Sequence, residues 1–143
     1  MVERALTAWE SRSQPEIYAE AGQLLSLVTD GAWSRVSATA EGRLHAVSST
    51  GEAREVSRLS LGTRQQLYLS LRVALLLHAD SVGRCVPVLA DDILVHFDAK
   101  RRRASARMIA KLARQRQVIV FTCHEETVDA LRDAACDLNY IEL

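Results

Sequence analysis

Two adjacent aspartates, Asp91 and Asp92, close the apolar run "VPVLADD" at residues 86–92. Neighbouring carboxylates repel unless a cation sits nearby, and Mg2+ is the usual one, held by one or two carboxylates with phosphate oxygens and water. Val86, Val88 and Leu89 read as a buried strand. That puts the aspartates at its carboxyl end, the edge where open α/β sheets bind ligands. The plainer alternative is that they cap a turn or start a helix. A second apolar run, "VIVFTCH", ends in His124. A histidine there can donate to a phosphate or position a water, or it can be an ordinary surface residue. In "LSLGTRQQ", Ser60 offers a hydroxyl and Gly62 allows close backbone approach at the start of a helix, whose unpaired N–H groups attract phosphate. The alternative is a simple N-cap by Ser60 or Thr63, worth ~1 kcal/mol.

These residues need elements to hold them. Ile17, Ala21, Leu24, Leu25 and Val28 recur at three to four, so residues 15–29 read as an amphipathic helix with Pro15 at its first position. Asp30-Gly31 stops it. Val36 and Ala38, then Leu44 and Ala46, alternate with polar residues, and Glu41-Gly42 and Thr50-Gly51 make turns. This is a hairpin or small meander. Residues 63–79 form a helix apolar on almost every side, which belongs in a core. Strands at 86–92 and 117–124 alternate with helices at 99–116 and 125–135, and "LNYIEL" reads as a last strand. The fold class is α/β, a largely parallel sheet flanked by helices, with a small antiparallel hairpin near the N-terminus.

Composition narrows the function. The chain has 143 residues, enough for one compact domain. Lys plus Arg equals Asp plus Glu at 18 each, so net charge gives no general attraction to nucleic acid or membrane. No apolar run reaches the ~20 residues of a membrane helix, and the N-terminus has no apolar signal-peptide core. Cys85, Cys123 and Cys136 show no C-x-x-C spacing, which fits reduced thiols of a cytoplasmic protein. Cys85 and Cys123 lie in or beside apolar runs, where cysteine is usually a small core residue.

The order of the motifs is more telling than any one of them. The serine-glycine helix start is followed by the Asp-Asp strand, Asp98 lies six residues beyond Asp92, and the histidine strand comes last. This order resembles the C-terminal half of an ABC-type ATPase head of the SMC and SbcC kind. "LSLGT" resembles that family's signature motif, "VPVLADD" its Walker B strand, "HFD" its D-loop and "VIVFTCH" its switch-histidine loop. "LGTRQQLYLSLRVAL" is most like the YhaN-like, SMC-related branch, and the resemblance spans residues 15–143.

The resemblance implies ATP and Mg2+ as cofactors and roles for single residues. Asp91 would hold Mg2+ through water. Asp92 would polarise the attacking water, where most relatives carry glutamate. His124 would contact the γ-phosphate. Asp98 would act across a dimer interface. Ser60, Leu61, Gly62 and Thr63 would bind the γ-phosphate of ATP held by the opposite subunit, with Leu61 replacing the usual second small residue. The mechanism would be phosphoryl transfer to water through positioning and charge stabilisation. Residues 1–14 would be a coiled-coil stub or lead-in and residues 15–143 the lobe.

A phosphate-cradling loop reads G-x-x-x-x-G-K-[ST], and none of the six glycines precedes a lysine. The chain is therefore expected to work with a Walker A-bearing N-terminal lobe of the same or another chain, and to form ATP-dependent homodimers of heads in DNA repair or chromosome maintenance. One rival is a degenerate head that dimerises or docks without turnover. Another is a metal-dependent nuclease or phosphatase using Asp91, Asp92 and Asp98, which leaves "LSLGT" unexplained. Residues 99–116 hold eight lysines and arginines and no acid. Lys100, Arg103, Arg107, Lys111 and Arg114 share one stripe, a candidate track for a DNA backbone. With no aromatic residues interleaved, a solvated helix face is favoured.

Overall fold

The computed structural model describes residues 2–39, 41–79, 86–135 and 137–142, with side chains from Pro15 onward. Two compact units result, Met1–Ala79 and Asp80–Leu143. Cys85 and Cys136 lie outside the described residues.

In the first unit, helix α1 spans Val2–Val28 and contains Pro15. The helix therefore starts well before the expected residue 15. Proline removes one i→i−4 bond, and a single missing rung does not end a helix of this length. Ile17, Ala21, Leu24, Leu25 and Val28 are all buried, as their spacing predicted. Asp30, at φ 57°, and Gly31, at φ 79°, turn the chain out of the helix, and the Gly31 N–H donates to the Ser26 carbonyl at 2.8 Å. That bond is the outer one of a Schellman closure.

Strands β1 (Trp33–Ala38), β2 (Leu44–Ser48) and β3 (Ala53–Glu55) form an antiparallel meander in the order β1-β2-β3. Val36 opposes Ala46, and both are buried. Helix α1 packs on β1 at Gly22. A Cβ there would stand 3.0 Å from the Ser34 carbonyl oxygen and 3.1 Å from the Arg35 Cα. A side chain there would force the β1 backbone to give by a few tenths of an ångström.

A 3-10 turn at Val56–Arg58 leads into helix α2, Leu61–His78. Leu67, Leu71, Val73, Ala74 and Leu77 are buried, so the helix does anchor in a core. It is not buried all round. Leu61, Tyr68 and Leu75, seven residues apart, are exposed, because a seven-residue step returns to nearly the same side of a 3.6-residue helix. The Gln66 carboxamide is fully buried, with no hydrogen-bond partner among the described residues. An unpaired buried amide costs about 1–3 kcal/mol.

In the second unit, β4 (Val88–Asp91), α3 (Ala99–Ala113), β5 (Val118–Phe121) and α4 (Glu125–Ala134) follow in order. Strands β4 and β5 are parallel, with Leu89 opposite Ile119 and Asp91 opposite Phe121. Among the described residues the parallel sheet has these two strands alone, narrower than expected. One face is closed: Ala90, Leu94, Met108, Ile109, Leu112 and Leu131 are buried. The other is open. Leu89 is 68% exposed and Phe121 47%, with Ile119 exposed beside them. The expectation of fully buried strands fails on this face. An apolar run shows that a strand is suited to burial on both sides but not that both covers are present.

Residues 138–142 form no strand, so the expected last strand is not found there. An apolar run makes a strand only beside a hydrogen-bonding neighbour. Here Tyr140 instead lies under the Arg132 guanidinium, 4.6 Å from its ring centre.

Candidate functional site

The carboxyl ends of β4 and β5 lie side by side, because the strands are parallel and in register up to Asp91 and Phe121. Asp91 is the last residue of β4. Its side chain is exposed and makes no hydrogen bond or ion pair among the described residues. Asp92 follows with φ 45°, a left-handed conformation that aspartate tolerates better than most residues. Its N–H donates to the Phe121 carbonyl at 2.9 Å, which ties the end of β4 to the end of β5.

The turn at Asp92 brings its carboxylate onto the segment after β5. The Thr122 hydroxyl donates to Asp92 Oδ1 at 2.8 Å. The Cys123 thiol lies 3.9 Å from Asp92 Oδ2. The His124 N–H donates to Thr122 Oγ1 at 3.2 Å, so one hydroxyl links the carboxylate to the histidine backbone. Ligand atoms of Asp92, Cys123 and His124 fall within 4.8 Å of one another. His124 also starts α4, its carbonyl accepting from the Thr127 N–H at 3.0 Å.

Sequence reasoning paired Asp91, Asp92 and His124 at one edge, and the strands bring them there. It missed Thr122, and it placed Cys123 in the core, whereas that thiol is free and exposed. The signal was present: three consecutive residues with polar or ligating side chains, Thr122-Cys123-His124, directly follow an apolar strand.

Asp98 has a structural part that its sequence reading did not include. It caps α3, accepting from the Arg101 N–H at 2.9 Å, and pairs with the Arg101 guanidinium at 3.3 Å. It is exposed, and no contact joins it to the Asp92 cluster among the described residues. Lys100, Arg103, Arg107, Lys111 and Arg114 are all exposed on α3, while Met108, Ile109 and Leu112 are buried. The stripe thus faces solvent as expected.

In the other unit, Ser60 caps α2. The Thr63 N–H donates to Ser60 Oγ at 3.2 Å, and the two hydroxyls share a bond of 2.8 Å. Ser60 and Leu61 are exposed, and Gly62 and Thr63 half-buried. The helix tip is open to solvent while also fulfilling the ordinary capping role. No described helix is long and apolar enough to cross a membrane.

No family model matches the sequence. YhaN of Bacillus subtilis is 29% identical over 122 residues, 84% of this chain and 13% of its own. Arcadin-4 of Pyrobaculum calidifontis is 32% identical over 90 residues, 63% of this chain and 11% of its own. This chain therefore spans only a small fraction of the curated relatives it matches. Among solved structures, the Smc head domain of Pyrococcus yayanosii, with a coiled coil and joint, has TM-score 0.70 and 19% identity, covering 90% of this chain and 26% of that one. An SMC ATPase structure that addresses ATP-driven dimerization and DNA-stimulated activation has TM-score 0.69 and 16% identity, covering 87% and 76%. The Pyrococcus furiosus Smc head bound to the C-terminal domain of ScpA has TM-score 0.67 and 17% identity, covering 84% and 31%. The chain has the fold of an SMC head domain and is similar in sequence to part of YhaN.

Proposed function

We propose that this chain is the C-terminal half of an ATPase head, whose acidic strand edge completes a hydrolysis site on a lobe that carries the Walker A loop. The observation that carries this reading is the meeting of Asp92 and His124, with Asp91 beside them, at the adjoining carboxyl ends of two parallel strands. The open apolar face of Leu89, Ile119 and Phe121 supports a covering lobe. Exposed apolar residues in one patch mark a surface that another segment is suited to bury.

The residues take the following parts. Asp91, exposed and unengaged, fits a water-mediated hold on Mg2+, which when bound would offset charge on the phosphate oxygens. Asp92 is aimed by Thr122 through Oδ1, and its Oδ2, beside the Cys123 thiol, is the oxygen that would orient a water. The His124 imidazole, at the start of α4, donates toward the terminal phosphate. Ser60 and the amides around Gly62, Leu61 and Thr63 form a helix tip suited to the γ-phosphate of ATP held by a second head. ATP would then hold two heads together, and hydrolysis would release them. The wider role in DNA repair or chromosome maintenance, and the part of Asp98 across a dimer interface, belong to the same proposal.

The test is association of assembled heads, this chain with its Walker A lobe, followed by sizing with and without ATP. Asp92→Asn is expected to strengthen ATP-dependent association and abolish turnover, because ATP stays bound when no carboxylate orients water. Unchanged turnover in that variant would remove Asp92 from its part.

A further inference from the structure

Cys123 has no part in the hydrolysis scheme, yet its thiol lies against the carboxylate that scheme needs. The geometry points to a soft-cation site at the ends of β4 and β5, in which Asp92 Oδ2, Cys123 Sγ and a ring nitrogen of His124 hold Zn2+, with a fourth position open to solvent. This site rests on the cluster alone and not on the ATPase reading.

Donor chemistry selects the ion. Thiolate and imidazole suit Zn2+, whereas Mg2+ takes oxygen ligands in octahedral geometry. Three protein ligands plus water is the usual open tetrahedral arrangement of zinc. With Zn–S near 2.3 Å and Zn–O near 2.0 Å, tetrahedral ligands stand roughly 3.5 Å apart. Cys123 Sγ and Asp92 Oδ2 are already 3.9 Å apart, and one ligand atom from each of the three residues lies within 4.8 Å of the others. Small side-chain rotations close the remainder.

The supporting contacts favour the same oxygen. Thr122 occupies Asp92 Oδ1, so Oδ2 is the one turned to the thiol. The Thr122 hydroxyl in turn accepts from the His124 N–H, which fixes the histidine backbone beside it. Bonds of this kind orient metal ligands and are felt in affinity. Asp92 and His124 are half-buried and Cys123 is exposed, so an ion can enter from solvent. Under the ATPase reading, such an ion would compete with the attacking water for Asp92.

The experiment titrates Co2+, a spectroscopic substitute for Zn2+, into this chain without nucleotide or partner, in excess Mg2+. The expected result is one equivalent bound, with a thiolate-to-cobalt charge-transfer band that one equivalent of Zn2+ removes. The band should vanish in Cys123→Ser, which keeps Cys85 and Cys136. Thr122→Val, which leaves every ligand in place, should weaken binding about tenfold. No band in the parent chain, or a band that persists in Cys123→Ser, would overturn the site. Circular dichroism of each variant shows whether a lost band reflects a lost fold. If Cys123→Ser does not fold, His124→Ala decides, since the band must then weaken or shift as a nitrogen ligand is removed, and an unaltered band overturns the site.

Discussion

Asp92 combines two unusual properties at one position, a φ of 45° and a carboxylate held by a residue thirty positions away in sequence. The left-handed conformation costs an ordinary L-residue about 1–2 kcal/mol, and strain retained beside a ligand edge is a reason to look for function. This separates backbone from chemistry. Asp92→Gly and Asp92→Ala should both lose turnover in the assembled head, as measured by phosphate release. The glycine variant should nevertheless be about 1 kcal/mol more stable than the alanine variant in urea unfolding, because glycine adopts positive φ freely. Equal stability of the two, or a more stable alanine variant, would show that the conformation carries no strain.

At the scale of elements, a helix tip is both a structural joint and a candidate phosphate site, and substitutions can tell these apart. Ser60 caps α2 through the Thr63 N–H. Ser60→Ala should cost ~1 kcal/mol of stability. Ser60→Asp should keep the cap and the stability, yet abolish ATP-dependent association by setting a negative charge against the phosphate. If Ser60→Asp heads still associate, the tip is a cap alone. Gly22 tests the α1–β1 packing. Gly22→Ala should destabilise by about 1–3 kcal/mol through overpacking, although alanine is the better helix former by ~1 kcal/mol. Equal or raised stability in chemical denaturation would contradict the close approach.

Much of this architecture was legible because it is written in short periods. The three-to-four spacing from Ile17 to Val28, the alternation around the Gly42 and Gly51 turns, and the Asp-Asp strand end all depend on neighbours within one or two turns of chain. What escaped depends on distant partners. Pro15 inside α1 costs one bond, which pattern alone cannot distinguish from a start. The tail at 138–142 is rich in apolar residues, but among the described residues no strand pairs with it. The Thr122–Asp92 bond and the exposed Cys123 thiol arise from the register of β4 against β5, which no single run of residues encodes.

The whole molecule carries an imbalance. Its second unit covers one face of a two-stranded sheet, with α3 against β5 and α4 packed on α3, and leaves Leu89, Ile119 and Phe121 open on the other. The sequence has an acidic strand edge, Asp91 and Asp92, and no glycine followed by lysine. Under the proposed function, the lobe that carries the Walker A loop would answer both, by covering the apolar face and bringing the triphosphate to Asp91, Asp92 and His124. The most direct measurement is phosphate release from ATP and Mg2+ by this chain alone, by its Walker A lobe alone, and by the two combined. Release by the combination and by neither part alone is the predicted result. Release by this chain alone, or none from a stable complex of the two, would contradict it.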